Sequence, residues 1–455
     1  MSTGRALVPS LIYAALTTSI VSSLGMLLVP SIAAQLDVSV STAQWMLTIN
    51  LLVGAVATPI MGRLSDGVNT RRLLLIALGI ILIGSAVAAA APTFGIFLIG
   101  RALQGLTYGI VPVTIVLARR HLGVGKADPA ISTLSVTVAT GLGLGYPLTG
   151  ILASLLDYRV AFWFATVFVL TAIVVVWRWV PADSEAGSSR PFDTAGAALL
   201  SIGLAGLLIT ISQGSHWGWL SAATLAAAVA SAACLAAWVV VELRSRDPLI
   251  NLRVIKAPDV LLANLTAIGL GAAMYMSLST ISIIAQAPKA TGYGLELPLF
   301  WAGFVMLPLS VGSLAGNRLV RRLGPGSMTT MLPAGSSVMA AAALMIWLTN
   351  DQLWEVLLGM LGFGLGMGAA YAAMPALVAR NVAVSEVGSA VSFNQVLRTV
   401  GGAAGSALVG SILAARPGEH GITVALGVAA VATTTVCVAL VVNQVRVSRS
   451  PTQPA

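Results

Sequence analysis

The chain is expected to be an all-α integral membrane protein with fourteen transmembrane helices and both termini on the cytoplasmic side. Three observations predict this. First, the 455 residues are 57% hydrophobic and only 9% charged, with a mean hydropathy of +0.95, whereas a soluble domain carries about a quarter charged residues. Second, long runs without charge, each able to cross a hydrocarbon core of about 30 Å as a helix, alternate with short polar loops. Third, most of the 24 basic residues fall in every second loop, as the positive-inside rule requires of cytoplasmic loops.

The stretch Gly62–Arg72, GRLSDGVNTRR, sets the register. It separates two charge-free runs, and Gly67 and Asn69 tolerate the left-handed backbone of a tight reversal. Arg63, Arg71 and Arg72 assign it to the cytoplasm. The spans then run roughly over 11–32, 44–62, 72–91, 96–118, 130–154, 160–180, 194–213, 219–242, 259–285, 299–317, 328–349, 353–378, 388–413 and 422–444. The first is too long for the apolar core of a cleavable signal peptide. The even count returns Arg446 and Arg449 to the inside, with the plasma (inner) membrane as the expected location.

The net charge of +9 is spread over these loops, not gathered on one face, so nucleic acid is not an expected partner. Cys234 and Cys437 lie in apolar runs and read as packing residues. His121, His216 and His420 are too scattered for a metal site. A phosphate-binding Walker loop is absent, and no cofactor is expected.

A weak internal repeat divides the chain. The loop after span two is echoed by GNRLVRRLG at 316–324 after span ten, and GLGLGYPLTG at 141–150 in span five by GGAAGSALVG at 401–410 in span thirteen. With spans seven and eight set aside, the pairs match in two six-helix halves, an arrangement common among secondary transporters. The expected units are residues 1–180, a linker with two extra helices at 181–257, and 258–455. The stretch 181–193 is the most linker-like.

At this point the motifs resemble those of the major facilitator superfamily, in particular its fourteen-span drug:proton antiporter branch, along nearly the whole chain. Gly62, Leu64, Ser65, Asp66 and Arg71 fit the family's loop signature after span two, while Gly67, Asn69 and Thr70 depart from it. Arg101, Gln104 and Gly105 match the R-x-x-Q-G of span four. Gly141, Gly145 and Gly150 fit the antiporter signature of span five, with Tyr146 in the usual proline position and Pro147 one step later. YRVAFWF at 158–164 and VLRTVGG at 396–402 resemble the motifs of spans six and thirteen. The resemblance implies two six-helix bundles plus two extra helices, alternating access and exchange of a small molecule against protons. A monomer is expected.

Each motif has a physical reading. The resemblance implies that Asp66 caps a helix start in the other half, a contact worth about 0.3–1 kcal/mol or more. With Gly62, Arg71 and Arg72 it would gate the cytoplasmic side; the alternative is a loop that only fixes topology. Arg101 lies within span four, at a cost of about 2–3 kcal/mol, with Gln104 one turn away. The resemblance ties it to proton transfer or substrate binding, and snorkelling to the outer headgroups is the alternative. Arg398, with Asn394 on the same face, reads either as cavity-facing or as a tie between helices. Gly141, Gly145 and Gly150 permit close helix contact and Pro147 a bend, forming either a hinge and seal between the halves or ordinary packing. Trp45, Met274, Tyr275, Trp301, Phe304, Met367, Tyr371 and Phe393 are candidates for a soft, adaptable cavity.

One departure bears on chemistry. The branch carries an acid in span one, but the aligned place near Val21 holds none. Every acid falls in a loop or near a span end; Glu242 and Asp259 come nearest the membrane, and Asp37 lies just beyond span one. A cavity with arginine and no acid favours neutral or anionic amphiphiles and leaves proton coupling to Asp37, Asp66 or another rim acid. The expected function is secondary active export of small amphipathic molecules. A dedicated metabolite exporter or an uncoupled facilitator is the alternative. An intramembrane enzyme would need a cluster of acids or a His/Ser constellation, which the sequence lacks.

Overall fold

The computed structural model describes residues 3–24, 28–67, 69–122, 126–155, 157–182, 192–255, 257–324 and 327–449. Among them the chain is almost wholly helical and contains no strand. The first group of helices is α1 (Thr3–Ser23), α2 (Val29–Gln35), α3 (Val40–Ala43), α4 (Trp45–Ser65), α5 (Thr70–Ala90), α6 (Phe94–Gln104), α7 (Ile110–His121), α8 (Ala127–Leu155) and α9 (Tyr158–Trp179). A hairpin of α10 (Thr194–Trp217) and α11 (Ala222–Arg244) and the short α12 (Leu252–Ile255) follow. The last group is α13 (Pro258–Gln286), α14 (Leu299–Phe304), α15 (Leu307–Leu323), α16 (Met328–Leu348), α17 (Leu353–Arg380), α18 (Val387–Ala415) and α19 (Glu419–Arg449).

Thirteen helical stretches among the described residues are long and apolar enough to cross a membrane. The expected fifth span, 130–154, is the helix α8, which is not among the thirteen. Most of the expected linker, 183–191, lies outside the described residues.

Local side-chain caps explain several helix starts. Asp193 accepts from the backbone N–H of Gly196 at the head of α10 (2.8 Å), and Ser221 from that of Thr224 at the head of α11 (3.3 Å). Gln352 and Glu355 form a reciprocal capping box on α17, satisfying donors that a helix start leaves open.

Three expected spans are interrupted as helices. Span one, expected as a single run over 11–32, is two helices, because Pro30 lacks an N–H and opens a new helix, α2. Span four is interrupted between α6 and α7 by a tighter 3-10 stretch, Gly105–Gly109. Span ten is divided into α14 and α15, with Pro308 in the first turn of the second.

The first-group helices pack chiefly on one another, as do those from α13 onward. The groups meet along two seams, α4 against α18 and α8 against α14, α15 and α17. The hairpin is not a passive spacer, since α10 lies against both α4 and α18 and so covers the first seam. Thr48 and Ser212 hydrogen-bond there (3.0 Å), and Trp238 packs on Phe393 with ring centroids 6.0 Å apart.

Within the last group, α15 and α17 pack backbone to backbone. A side chain at Gly312 would strike the backbone of Leu361, and one at Gly364 the backbone of Leu309. Small residues let the two backbones approach to contact. Gly364→Val is therefore expected to lower stability by about 1–3 kcal/mol through overpacking. Gly79→Ala, at a position with open space around it, should leave it unchanged. Thermal unfolding of the detergent-purified protein compares the two.

Candidate functional site

The site is built where α4 ends. Ser65 donates to the carbonyl of Gly62 (2.6 Å) and Thr70 to that of Ser65 (2.8 Å), which closes the turn. Asp66 is thereby aimed away from its own helix. Its Oδ1 accepts from the backbone N–H of Gly388 (2.7 Å) and its Oδ2 from that of Ser389 (3.0 Å). Both donors belong to the first turn of α18, whose own N-cap residue, Glu386, gives no side-chain cap. Asp66 supplies the missing cap from the other group of helices, satisfying N–H groups that a helix start leaves open.

Gly62 has an equally specific task. It faces Gly388, and a Cβ on either would run into the other's backbone and into Ser392 or Ser65. The glycine pair brings α4 and α18 close enough for Asp66 to reach.

Arg120, at the end of α7, braces the turn from behind. Its guanidinium donates to the carbonyls of Asp66 (2.6 Å) and Gly67 (2.6 Å) and to the hydroxyl of Thr70 (2.7 Å). A second tie joins the other seam at the same end. Asp128, in the first turn of α8, pairs with Arg380 at the end of α17 (2.6 Å) and with Arg119 (3.4 Å). Asn251, beyond the hairpin, donates to Glu386 (3.1 Å) beside the capped turn.

Asp66 is buried at 4% exposure. Burial pushes its carboxyl up to about 7, against the downward pull of the Ser389 and Gly388 N–H groups and of Arg63.

Arg71 and Arg72, grouped with Asp66 at the sequence level, stand apart from this contact. Arg71 donates to the carbonyl of Trp177, and Arg72 is exposed. Together with Asn69, Leu75, Trp177 and Ala182 they line a separate cavity of about 350 Å³.

Deeper in the structure, Arg101 is 1% exposed, so it does not snorkel to a headgroup. It donates to the carbonyls of Met46 (3.3 Å) and Val21 (3.4 Å) and to Gln104 (2.7 Å). Gln104 passes the network on to Ser85 (2.9 Å). Arg101 thus ties α1, α4 and α5 to α6 through neutral acceptors. The aligned place of the expected span-one acid, Val21, contributes its backbone carbonyl instead.

Arg398 is held differently. It lies over the Tyr371 ring, 4.6 Å from the centroid, and donates to Gln395. Asn394 is a tie between helices, donating to Ala263 (3.1 Å) and Asn264 (2.9 Å) of α13. Tyr275 packs its ring on Gly402, one turn along α18 from Arg398. Tyr371 donates to Met274 (3.5 Å).

Other expectations are redistributed. Gly141 and Gly145 pack on Ser19 and Ser23 of α1, inside one group and not between the groups. The opposite face of α8 makes the seam: Gly303 of α14 abuts Tyr146 and Pro147, and Ser310 of α15 donates to the carbonyl of Thr140. Gly150 is buried. Trp301 is 57% exposed, in a cluster with Phe300 and Phe304, because α14 turns that face outward. Phe393 is occupied by Trp238, and Trp45 is half-buried at the head of α4. Asp37 is exposed beyond α2. Of the cavity candidates, Tyr371 meets Arg398, Met274 meets Tyr371, and Met367 is buried.

Arg120, Asp128, Tyr108, Tyr146 and the hairpin's buried Glu242 were not singled out as site residues in the sequence. Glu242 accepts from Trp238 (2.8 Å) and from the Ile250 N–H (3.4 Å). An acid in the first turn of span five was a usable signal for Asp128; the tyrosines carried none.

The fold and this site define a membrane transporter. A family model described as Major Facilitator Superfamily matches residues 11–406, and the chain belongs to that superfamily. Among similar proteins is the tetracenomycin C resistance and export protein of Streptomyces glaucescens, 26% identical over 86% of this chain and 72% of its own length. The puromycin resistance protein pur8 of Streptomyces alboniger is 28% identical over 86% of this chain and 79% of its own. Among solved structures, the human organic anion transporter MFSD10 shares the fold, with a TM-score of 0.67 at 16% identity over 96% of this chain and 99% of its own.

The raised carboxyl of Asp66 fixes the sign of a pH effect. The joined arrangement holds the Asp66 proton up to about pH 7, whereas a solvated carboxyl releases it near about 4. The joined arrangement is therefore favoured at low pH and loses ground as pH rises across that window. Spin labels on the loop ends of α4 and α18 should report a growing separated population from about pH 5 to 7. In Asp66→Asn that pH dependence should vanish.

Proposed function

We propose that the protein is a secondary active exporter of small amphipathic molecules, working by alternating access and coupled to inward proton movement. The observation that carries this reading is the Asp66 cap on α18. It is a small polar contact between two helix groups, strong enough to hold one end shut and weak enough to be exchanged when the groups rock. The relatives named for drug resistance and export support the direction of transport. The basic loops support placing the Asp66 end in the cytoplasm of a plasma-membrane protein, with α8 as the fourteenth span, both termini inside and residues 1–180 and 258–455 moving as two bodies.

Asp66 is the coupling acid best placed for such a cycle, since the contact it makes changes with its protonation. Neutral or anionic substrates are favoured, because Arg101 and Arg398, buried well inside their helices, have no carboxylate paired to either. The relative named for tetracenomycin C export keeps a dedicated metabolite exporter as the second reading.

Proteoliposomes carrying an imposed proton gradient test this. Wild-type protein is expected to drive neutral or anionic fluorescent amphiphiles against their gradient. Asp66→Asn and Arg101→Ala should each reduce the rate at least about tenfold, as loss of a group worth about 1.4 kcal/mol or more would. Movement without coupling to the gradient would make the protein a facilitator, and equal transport of dications would overturn the substrate class.

A further inference from the structure

The two intramembrane arginines differ in one respect. Arg101 is engaged by three acceptors within its own group of helices. Arg398 is 7% exposed, and its Nη1 is buried with no hydrogen-bond partner. Its other contacts are Gln395 and the face of Tyr371. Ion pairs among the described residues include Arg119–Asp128, Arg380–Asp128 and Arg159–Asp157, and Arg398 takes part in none of these.

An amide and an aromatic face offset only part of the desolvation of a guanidinium. A buried donor without an acceptor costs about 1–3 kcal/mol, more for a charged group. A chain that retains such a group, eleven residues or about 17 Å along α18 from its first turn, has an unfilled requirement for an oxyanion at that depth.

The surroundings say what kind of oxyanion. The Tyr371 ring lies under the guanidinium, and Tyr275 packs on Gly402, one turn along α18 from Arg398. Met274 accepts from the Tyr371 hydroxyl, and Tyr108 and Tyr146 of the first group come near Tyr275. Flat rings and a thioether supply a surface for an aromatic body, and the phenol hydroxyls can donate alongside Nη1. The tyrosines come from both groups of helices, so the cluster lies where separation of the groups would admit a ligand.

We infer that Arg398, with Tyr371 under its guanidinium and Tyr275 packed one turn along α18, is the subsite for the anionic head of an aromatic amphiphile, a carboxylate or comparable delocalised oxyanion, whose rings lie among Tyr108, Tyr146 and Met274. This rests on the exporter reading and narrows its substrate class. The planar guanidinium takes a carboxylate through charge-assisted hydrogen bonds, and a cationic head in the same place meets like charge.

Three probes with one ring system and one chain length test it: 4-(1-pyrenyl)butyrate, 4-(1-pyrenyl)butanol and 4-(1-pyrenyl)butylamine. Binding to the full chain in lipid nanodiscs is read by energy transfer from tryptophan, with transport of the same probes followed in proteoliposomes. The butyrate is expected to bind about 10–100-fold tighter than the alcohol, the range of one charge-assisted hydrogen bond, and the amine weakest. Arg398→Gln should bring the butyrate to the level of the alcohol while leaving the alcohol's own affinity unchanged. Arg398→Lys should recover part of the preference.

Equal wild-type binding of butyrate and alcohol, or an unchanged preference in Arg398→Gln, overturns the inference while leaving the exporter reading intact if the alcohol is transported. Failure of the wild-type protein to bind or move any of the three overturns both. If Arg398→Gln does not fold, the wild-type ratio and the Arg398→Lys ratio decide.

Discussion

The arrangement of the two helix groups depends on how one helix start is satisfied. A helix leaves its first N–H groups without intrahelical partners, and inside a membrane protein water is not freely available to replace them. At α18 that need is met by Asp66, reaching from the end of α4. The contact is specific because it is demanding. It requires a carboxylate at one position, glycines at 62 and 388 to allow the approach, and Arg120 to hold the turn from behind. Removing any of these leaves polar groups open in a buried place.

The same logic recurs on the second seam with different chemistry. The first turn of α8 carries Asp128, and the end of α17 brings Arg380 to it. The two crossing helices, α8 and α18, also share their other face. Gly141 and Gly145 set α8 on α1, and Gly401 and Gly405 set α18 on α13. Each is therefore bound by glycine contact to its own group and by polar contact at its start to the other. Close glycine packing fixes each helix to its own group, whereas charge-assisted hydrogen bonds at a rim can exchange with water.

The hairpin α10–α11 gains a physical role from this geometry. It covers the α4–α18 seam, places Trp238 on Phe393 and, through Asn251, bonds Glu386 beside the capped turn. A helix pair touching both sides of the seam ties the two groups together there. Nothing in the composition of these two spans indicates it, because their residues are as apolar as those of any lipid-facing helix.

By itself the sequence determined the class of the molecule. Hydropathy, the alternation of basic loops and the order of the motifs sufficed, because insertion into a bilayer is decided by the transfer free energy of each segment, a local property. Gly62 and Asp66 were legible for a related reason, since an acid in a basic loop departs from the local pattern. The tertiary structure alone decided which charges meet. Asp66 and Gly388 are separated by 322 residues, and Asp128 and Arg380 by 252; neither pairing has a local signature. It also separated two arginines that look alike in sequence. Arg101 is bonded by carbonyls of two neighbouring helices and by Gln104, while Nη1 of Arg398 has no partner, because the acceptors available to a buried cation depend on which helix faces it, and only packing settles that.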